Sequence, residues 1–240
     1  MPHRTELHPD VIDRIMKRRG KMHVHDTIDP KRAALVSIDM QVAFLGEGLP
    51  SEVPMARGIV PNINKLAAAM RAAGGTVAWV YSTFTPETVK EWSSFFGGTY
   101  GGPHAEKVAQ NLFKGTPGHE HWPAIETKPG DLWIEKNRFS AFLPGASDAE
   151  AQLKARGVDT VIIVGTLTNV CCESSARDAM MRNFNVIMVG DGNATYTDAI
   201  HNASLTSLAI TFCDVMSADE VIARLGAEPK LKVPAARAAQ

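Results

Sequence analysis

The stretch TVIIVGTLTNVCCESSARDAMMRNFNVIMV, residues 160–189, decides the fold. It opens on a β-branched apolar run, Thr160 to Val164, that is too short for a helix and reads as a buried strand. A Gly165-Thr-Leu-Thr-Asn turn follows, and the spacing predicts a helix from Cys171 to Arg182. Asn185 to Val189 is a second apolar run. Two apolar strands joined through a helix form a crossover unit with parallel strands.

The same alternation extends in both directions. Ala33 to Asp39, Thr76 to Tyr81 and Asp131 to Glu135 read as upstream strands, and Phe212 to Met216 as a sixth. Helices are predicted at Val60–Ala73, ending on Gly74-Gly75, at Ser147–Arg156 with Ser147 as N-cap and Gly157 as stop, at Asp198–Ile210 and at Ala218–Leu225. The expectation is an α/β fold of three layers (α/β/α) around a central, mostly parallel, six-stranded sheet. In such sheets the ligand crevice lies beyond the carboxyl ends of the strands. The domain is expected over residues 31–226, with a charged, histidine-rich N-terminal arm over 1–30 that packs on the body or on another subunit. An Ala, Lys and Pro-rich stretch over 227–240 is expected to be a flexible tail. The segment from Thr83 to Lys128, with Gly97-Gly98 and Gly101-Gly102-Pro103, is read as irregular, a wall or lid over the substrate.

Composition narrows the function. A formal net charge of -1 gives no footing for nucleic acid or an anionic membrane. Three cysteines, two of them adjacent, make no disulfide framework and point to a reducing compartment. With no signal peptide and no apolar run of membrane-spanning length, the expected location is the cytoplasm.

Three residues carry chemistry at strand ends or just beyond. Cys171 stands at the start of a predicted helix, where the helix dipole and unpaired N–H groups favour a thiolate and can hold an oxyanion. A small buried thiol that only packs is the equal alternative on this local evidence. Asp39 ends an apolar strand, where a carboxylate is costly unless paired or functional. Lys136 ends the third strand and, taken singly, reads as a solvated loop lysine. An acid, a lysine and a cysteine converging on one sheet edge form a nucleophilic constellation.

The segments ALVSIDMQ (34–41), KNRFSAF (136–142) and GTLTNVCCESSARDA (165–179) together resemble the isochorismatase-like cysteine hydrolase superfamily. That group includes nicotinamidases, N-carbamoylsarcosine amidase, ureidoacrylate and biuret amidohydrolases, streptothricin hydrolase and isochorismatase itself. The resemblance spans about Ala33 to Leu225. It implies an Asp39–Lys136–Cys171 triad, with Cys172 in a packing slot, a cis peptide between Thr166 and Leu167, and an oxyanion hole formed by the Leu167 and Cys171 N–H groups. It implies a cysteine amidohydrolase that cleaves a C–N bond of a small ureido, N-carbamoyl or carboxamide substrate through a thioester, in a homo-oligomer of two or four subunits. Gln41, Phe44, Trp92, Arg138 and Phe139 are the candidate substrate-binding residues. Trp92, Phe95, Phe96 and Tyr100 form a candidate apolar wall.

The chain also departs from its relatives. Gln41-Val-Ala-Phe44 replaces the Gln-Asn-Asp-Phe of many of them. No histidine follows the second strand as in metal-dependent nicotinamidases. His104, His119 and His121 come later and read as exposed loop residues, so neither a metal nor another cofactor is expected. A cysteine at position 171 argues for C–N rather than vinyl-ether cleavage. Two other readings remain: hydrolysis of a larger cyclic amide of the streptothricin type, and a catalytically silent assembly domain.

Overall fold

The computed structural model describes residues 2–227. Six strands, β1 (Ala33–Ile38), β2 (Thr76–Ser82), β3 (Leu132–Lys136), β4 (Thr160–Thr166), β5 (Asn185–Ala194) and β6 (Asp214–Met216), form one sheet of order β3-β2-β1-β4-β5-β6. Every pairing is parallel. The chain starts in the middle of the sheet, builds outward to β3, then crosses back beyond β1 to lay down β4, β5 and β6. The direction of winding therefore reverses between β1 and β4, and the carboxyl ends of those strands flank the crevice.

Side-chain alternation along the strands assigns the two faces. Leu35, Val77, Trp79, Ile162, Val164, Ile187 and Val189 enter one apolar core, while Val36, Ile38, Val80, Val161, Ile163, Val186 and Met188 enter the other. The first core is covered by α2 (Val42–Leu45), α3 (Val60–Ala72), α5 (Pro103–Asn111) and α9 (Ala218–Arg224). The second is covered by α1 (Pro9–Arg19), α6 (Ala149–Ala155), α7 (Glu173–Met181) and α8 (Asp198–Thr211). Strands buried on both faces explain the unbroken apolar runs of β1 and β4.

Helix starts follow the local chemistry. The Thr197 side chain accepts from the Ile200 N–H at the head of α8, and Ser217 and Glu220 make a reciprocal capping box at α9. Helix α6 begins at Ala149 with Asp148 rather than Ser147 at the cap position; the Ser147 hydroxyl, one residue earlier, still accepts from the Ala149 N–H while donating to the Ala141 carbonyl.

Three stretches differ from the sequence reading. The helix predicted from Cys171 starts at Glu173, since residues Thr168–Cys172 form one wide π-type turn. The segment 83–128, read as irregular, carries α4 (Pro86–Glu91), a second wide turn over Ser94–Thr99, and α5. Pro at each helix start and a Thr85 cap organise it, signals that its many glycines masked. The strand predicted from Phe212 begins at Asp214, after α8 runs on to Thr211.

The N-terminal segment lies on the α8 face. Ile15 of α1 is buried in the second core. Asp214, itself buried, accepts from the Arg19 guanidinium, the His25 ring and the Val24 and His25 N–H groups. The stretch read as a flexible tail lies, beyond Ala227, outside the described residues. Among the described residues no helix is long and apolar enough to cross a membrane.

Candidate active site

The carboxyl ends of four adjacent strands assemble the site. In the sheet register Ser82 pairs with Lys136 across β2 and β3, and Ile38 pairs with Gly165 across β1 and β4. Asp39 is the first residue past β1, Lys136 the last of β3, and the Cys171 turn follows β4. Residues 97 and 35 positions apart in sequence are thereby brought onto one ammonium group.

Lys136 is that hub. Its Nζ donates to Asp39 Oδ2 at 2.9 Å, Ser82 Oγ at 2.7 Å and the Arg138 carbonyl at 3.2 Å, and lies 3.6 Å from Cys171 Sγ. Both the lysine and the aspartate side chains are fully buried. Ions so placed persist only when every hydrogen-bonding position is filled. Asp39 Oδ1 accordingly takes the Ser82 N–H at 2.8 Å. The Asp39 backbone has φ 53, left-handed for a residue with a side chain, and is held by its N–H on the Val80 carbonyl and its carbonyl on Thr166 Oγ1. Such a conformation costs on the order of 1 kcal/mol and persists where the surroundings over-determine it.

Burial acts on these groups in opposite directions. It works against the Lys136 ammonium, but the Asp39 carboxylate and the Cys171 sulfur outweigh it and raise the lysine above its ordinary pKa. Burial, reinforced by the Asp39 carboxylate and only partly opposed by Lys136, raises the Cys171 thiol well above its ordinary value. Cys171 sits in the wide turn ahead of α7, and its burial works against the thiolate that a helix N-terminus favours.

Beside the sulfur opens a cavity of about 310 Å³. Its floor is Ser82, Leu167, Val170 and Cys171, and its walls are Phe44, Phe84, Phe95, Val108, Leu112 and Phe139, with Ser51, Tyr100 and Tyr196 completing it. The Thr166–Leu167 peptide is cis. Cys172 is fully buried outside this lining, its Sγ 4.0 Å from the Val164 carbonyl.

The other sequence candidates divide. Phe44 and Phe139 line the cavity; Gln41, Trp92 and Arg138 do not. Gln41 is fully buried, its amide bonded to Ser82 and to the His119 carbonyl, so it ties the segment 117–121 to the end of β2. Trp92 packs among Phe84, Phe95, Phe96 and Phe139. The Arg138 guanidinium donates to the Asn137 carbonyl and lies 5.1 Å over the Trp92 ring. Phe95 and Tyr100 reach the cavity, while Phe96 belongs to the core. His119 is buried rather than exposed, with Nε2 2.7 Å from Thr83 Oγ1; His121 pairs with the Tyr81 hydroxyl, and His104 Nε2 lies 3.1 Å from the Tyr100 hydroxyl.

Sequence reasoning missed Ser82 and Ser51. Ser82, a hydroxyl at the end of a buried strand between β1 and β3, carried the same signal that exposed Asp39 and Lys136. Ser51 sits in a Pro-Ser-Glu loop with no such signal. A further layer holds the Cys171 turn in place. Buried His201 bonds Thr168 Oγ1 through Nδ1 at 2.9 Å, His3 stacks on His201 with ring centroids 4.5 Å apart, and Thr195 Oγ1 donates to Asn169 at 2.7 Å.

Comparison with known proteins agrees with this architecture. Residues 33–220 match the isochorismatase domain. Ureidoacrylate amidohydrolase RutB of Rhizobium rhizogenes is 31% identical over 183 residues, 69% of this chain and 71% of the relative. The solved cysteine hydrolase of Pseudomonas syringae superposes with a TM-score of 0.70 at 30% identity, covering 82% of this chain and 93% of its own. N-carbamoylsarcosine amidase of Thermoplasma acidophilum gives 0.62 at 26% identity, covering 78% and 97%. The chain thus has counterparts over most of its length, and it belongs to the isochorismatase family of hydrolases.

Proposed function

We propose that the protein is a cysteine amidohydrolase in which Cys171 attacks the carbonyl carbon of a small amide. The observation that carries this reading is the Lys136 ammonium, shared between the Asp39 carboxylate and the Cys171 sulfur at the floor of a cavity. The amidohydrolase names of the relatives support it.

Asp39 takes the thiol proton as the S–C bond forms. Lys136 stays charged throughout and offsets the negative charge as it moves between carboxylate and sulfur. The developing oxyanion rests on the N–H groups of Leu167 and Cys171. Asp39 returns the proton to the departing nitrogen as the C–N bond breaks, leaving a thioester. Water, deprotonated by Asp39, then adds to the thioester; the C–S bond breaks and the acid leaves with regeneration of the thiol.

At about 310 Å³ the cavity stands at the low end of the roughly 300–1,000 Å³ usual for ligand sites. That favours a small amide over a large cyclic one. Cys171→Ala is expected to abolish ammonia release and acyl-enzyme detection by intact mass, while Cys172→Ala retains both. Turnover surviving in the first variant and lost in the second refutes the assignment.

A further inference from the structure

We propose that the cavity selects a neutral amide with an apolar acyl group, aryl or branched alkyl. The proposal rests on the cysteine amidohydrolase reading and narrows its substrate.

The lining carries no charged side chain. Four phenylalanines, Phe44, Phe84, Phe95 and Phe139, surround the space beside Cys171. A substrate carboxylate, as in ureidoacrylate or N-carbamoylsarcosine, would give up its water here with no cation to replace it, and an unpaired ion in apolar surroundings is strongly disfavoured. Neither nearby cation can serve. The Lys136 side chain is fully buried beneath the floor with its ammonium shared among Asp39, Ser82 and Arg138. The Arg138 guanidinium is turned away onto Asn137 and Trp92. An apolar ring or branched chain, by contrast, exchanges water for aromatic walls and gains from every part of its surface.

Ser51 also lines the cavity, but its Oγ is itself buried and adds no polar contact for a ligand there.

Two experiments on the full-length protein test this. In the first, kcat/KM for ammonia release is compared between benzamide and isobutyramide on one side and ureidoacrylate and N-carbamoylsarcosine on the other. The neutral amides are expected to lead by about tenfold or more, from burial of the apolar group and the missing counter-ion. The second experiment needs no turnover. Cys171 is alkylated with N-phenyliodoacetamide, iodoacetamide and iodoacetate, with each rate normalised to glutathione and the site confirmed by peptide mapping. The phenyl reagent is expected to exceed iodoacetate by about tenfold or more on the same grounds. Equal or reversed normalised rates, or acids hydrolysed faster than neutral amides, overturn the proposal. Turnover of neither class alongside a preserved phenyl preference overturns the amidohydrolase reading and leaves the cavity's selectivity standing.

Discussion

Lys136→Met isolates the energetics of the buried pair. Methionine fills most of the lysine stem's volume but removes the ammonium. Asp39 then keeps a carboxylate with no exposure to water, bonded by the Ser82 N–H and the Cys171 thiol but by no cation. At 2.9 Å, and with an effective dielectric of about 20, the lost attraction is about 6 kcal/mol. Part of this is offset because the ammonium no longer has to be desolvated, and breaking one side of a buried pair costs about 3–5 kcal/mol in practice. For a domain of this size that lowers Tm by about 6–20 °C. The double variant Asp39→Asn/Lys136→Met removes both charges and is expected to recover most of the lost stability. Neither variant should hydrolyse amides. Guanidinium denaturation of the wild type, both single variants and the double variant forms a complete cycle. A loss below about 1 kcal/mol for Lys136→Met, or a double variant as unstable as the sum of the singles, would refute the picture of a desolvated, mutually dependent pair.

Two further outcomes follow from the same structure. Gly165 has φ 118, and a Cβ there would lie 2.0 Å from the Ile38 carbonyl oxygen. Gly165→Ala is expected to force β1 and β4 apart beneath the site, with a stability loss of at least about 2 kcal/mol and lost turnover; a soluble, active variant with an unchanged denaturation midpoint contradicts this. His121 and His201 are pushed by burial down to about 4. The unfolded chain protonates them from about pH 6.5, so between there and about pH 4 the unfolded state binds more protons and stability falls as pH drops. His121→Gln and His201→Gln should each flatten the denaturation midpoint against pH in that window, and slopes identical to wild type would exclude these histidines as the cause.

The core was legible in the sequence wherever one local pattern had one structural meaning. Residues 33–38 and 160–166 are buried throughout and mostly apolar because β1 and β4 are covered on both faces, and that excludes most alternatives to a parallel sheet. The segment 83–128 was harder. Its glycines signal loops, and its helices are short, with Pro starts and Gly-rich flanks, so the Phe84, Phe95, Val108 and Leu112 walls could not be told from ordinary packing. Arg138 shows the same limit. Its position two residues past Lys136 suggested substrate contact, but whether an arginine turns toward a cavity or onto a tryptophan depends on what packs beside it.

By itself the sequence determined the order of the strands along the chain and the main helices outside 83–128, from spacing and residue type within a few neighbours, while the choice of Asp39, Lys136 and Cys171 rested on the family resemblance of three strand-end segments. Only the tertiary structure decided that Ser82 completes the ammonium's hydrogen bonds, that burial works against ionisation of the Cys171 thiol, and that the cavity beside it carries no charged side chain. Those properties come from desolvation and from groups brought together across four strands, and neither can be read from residues that are adjacent in the chain.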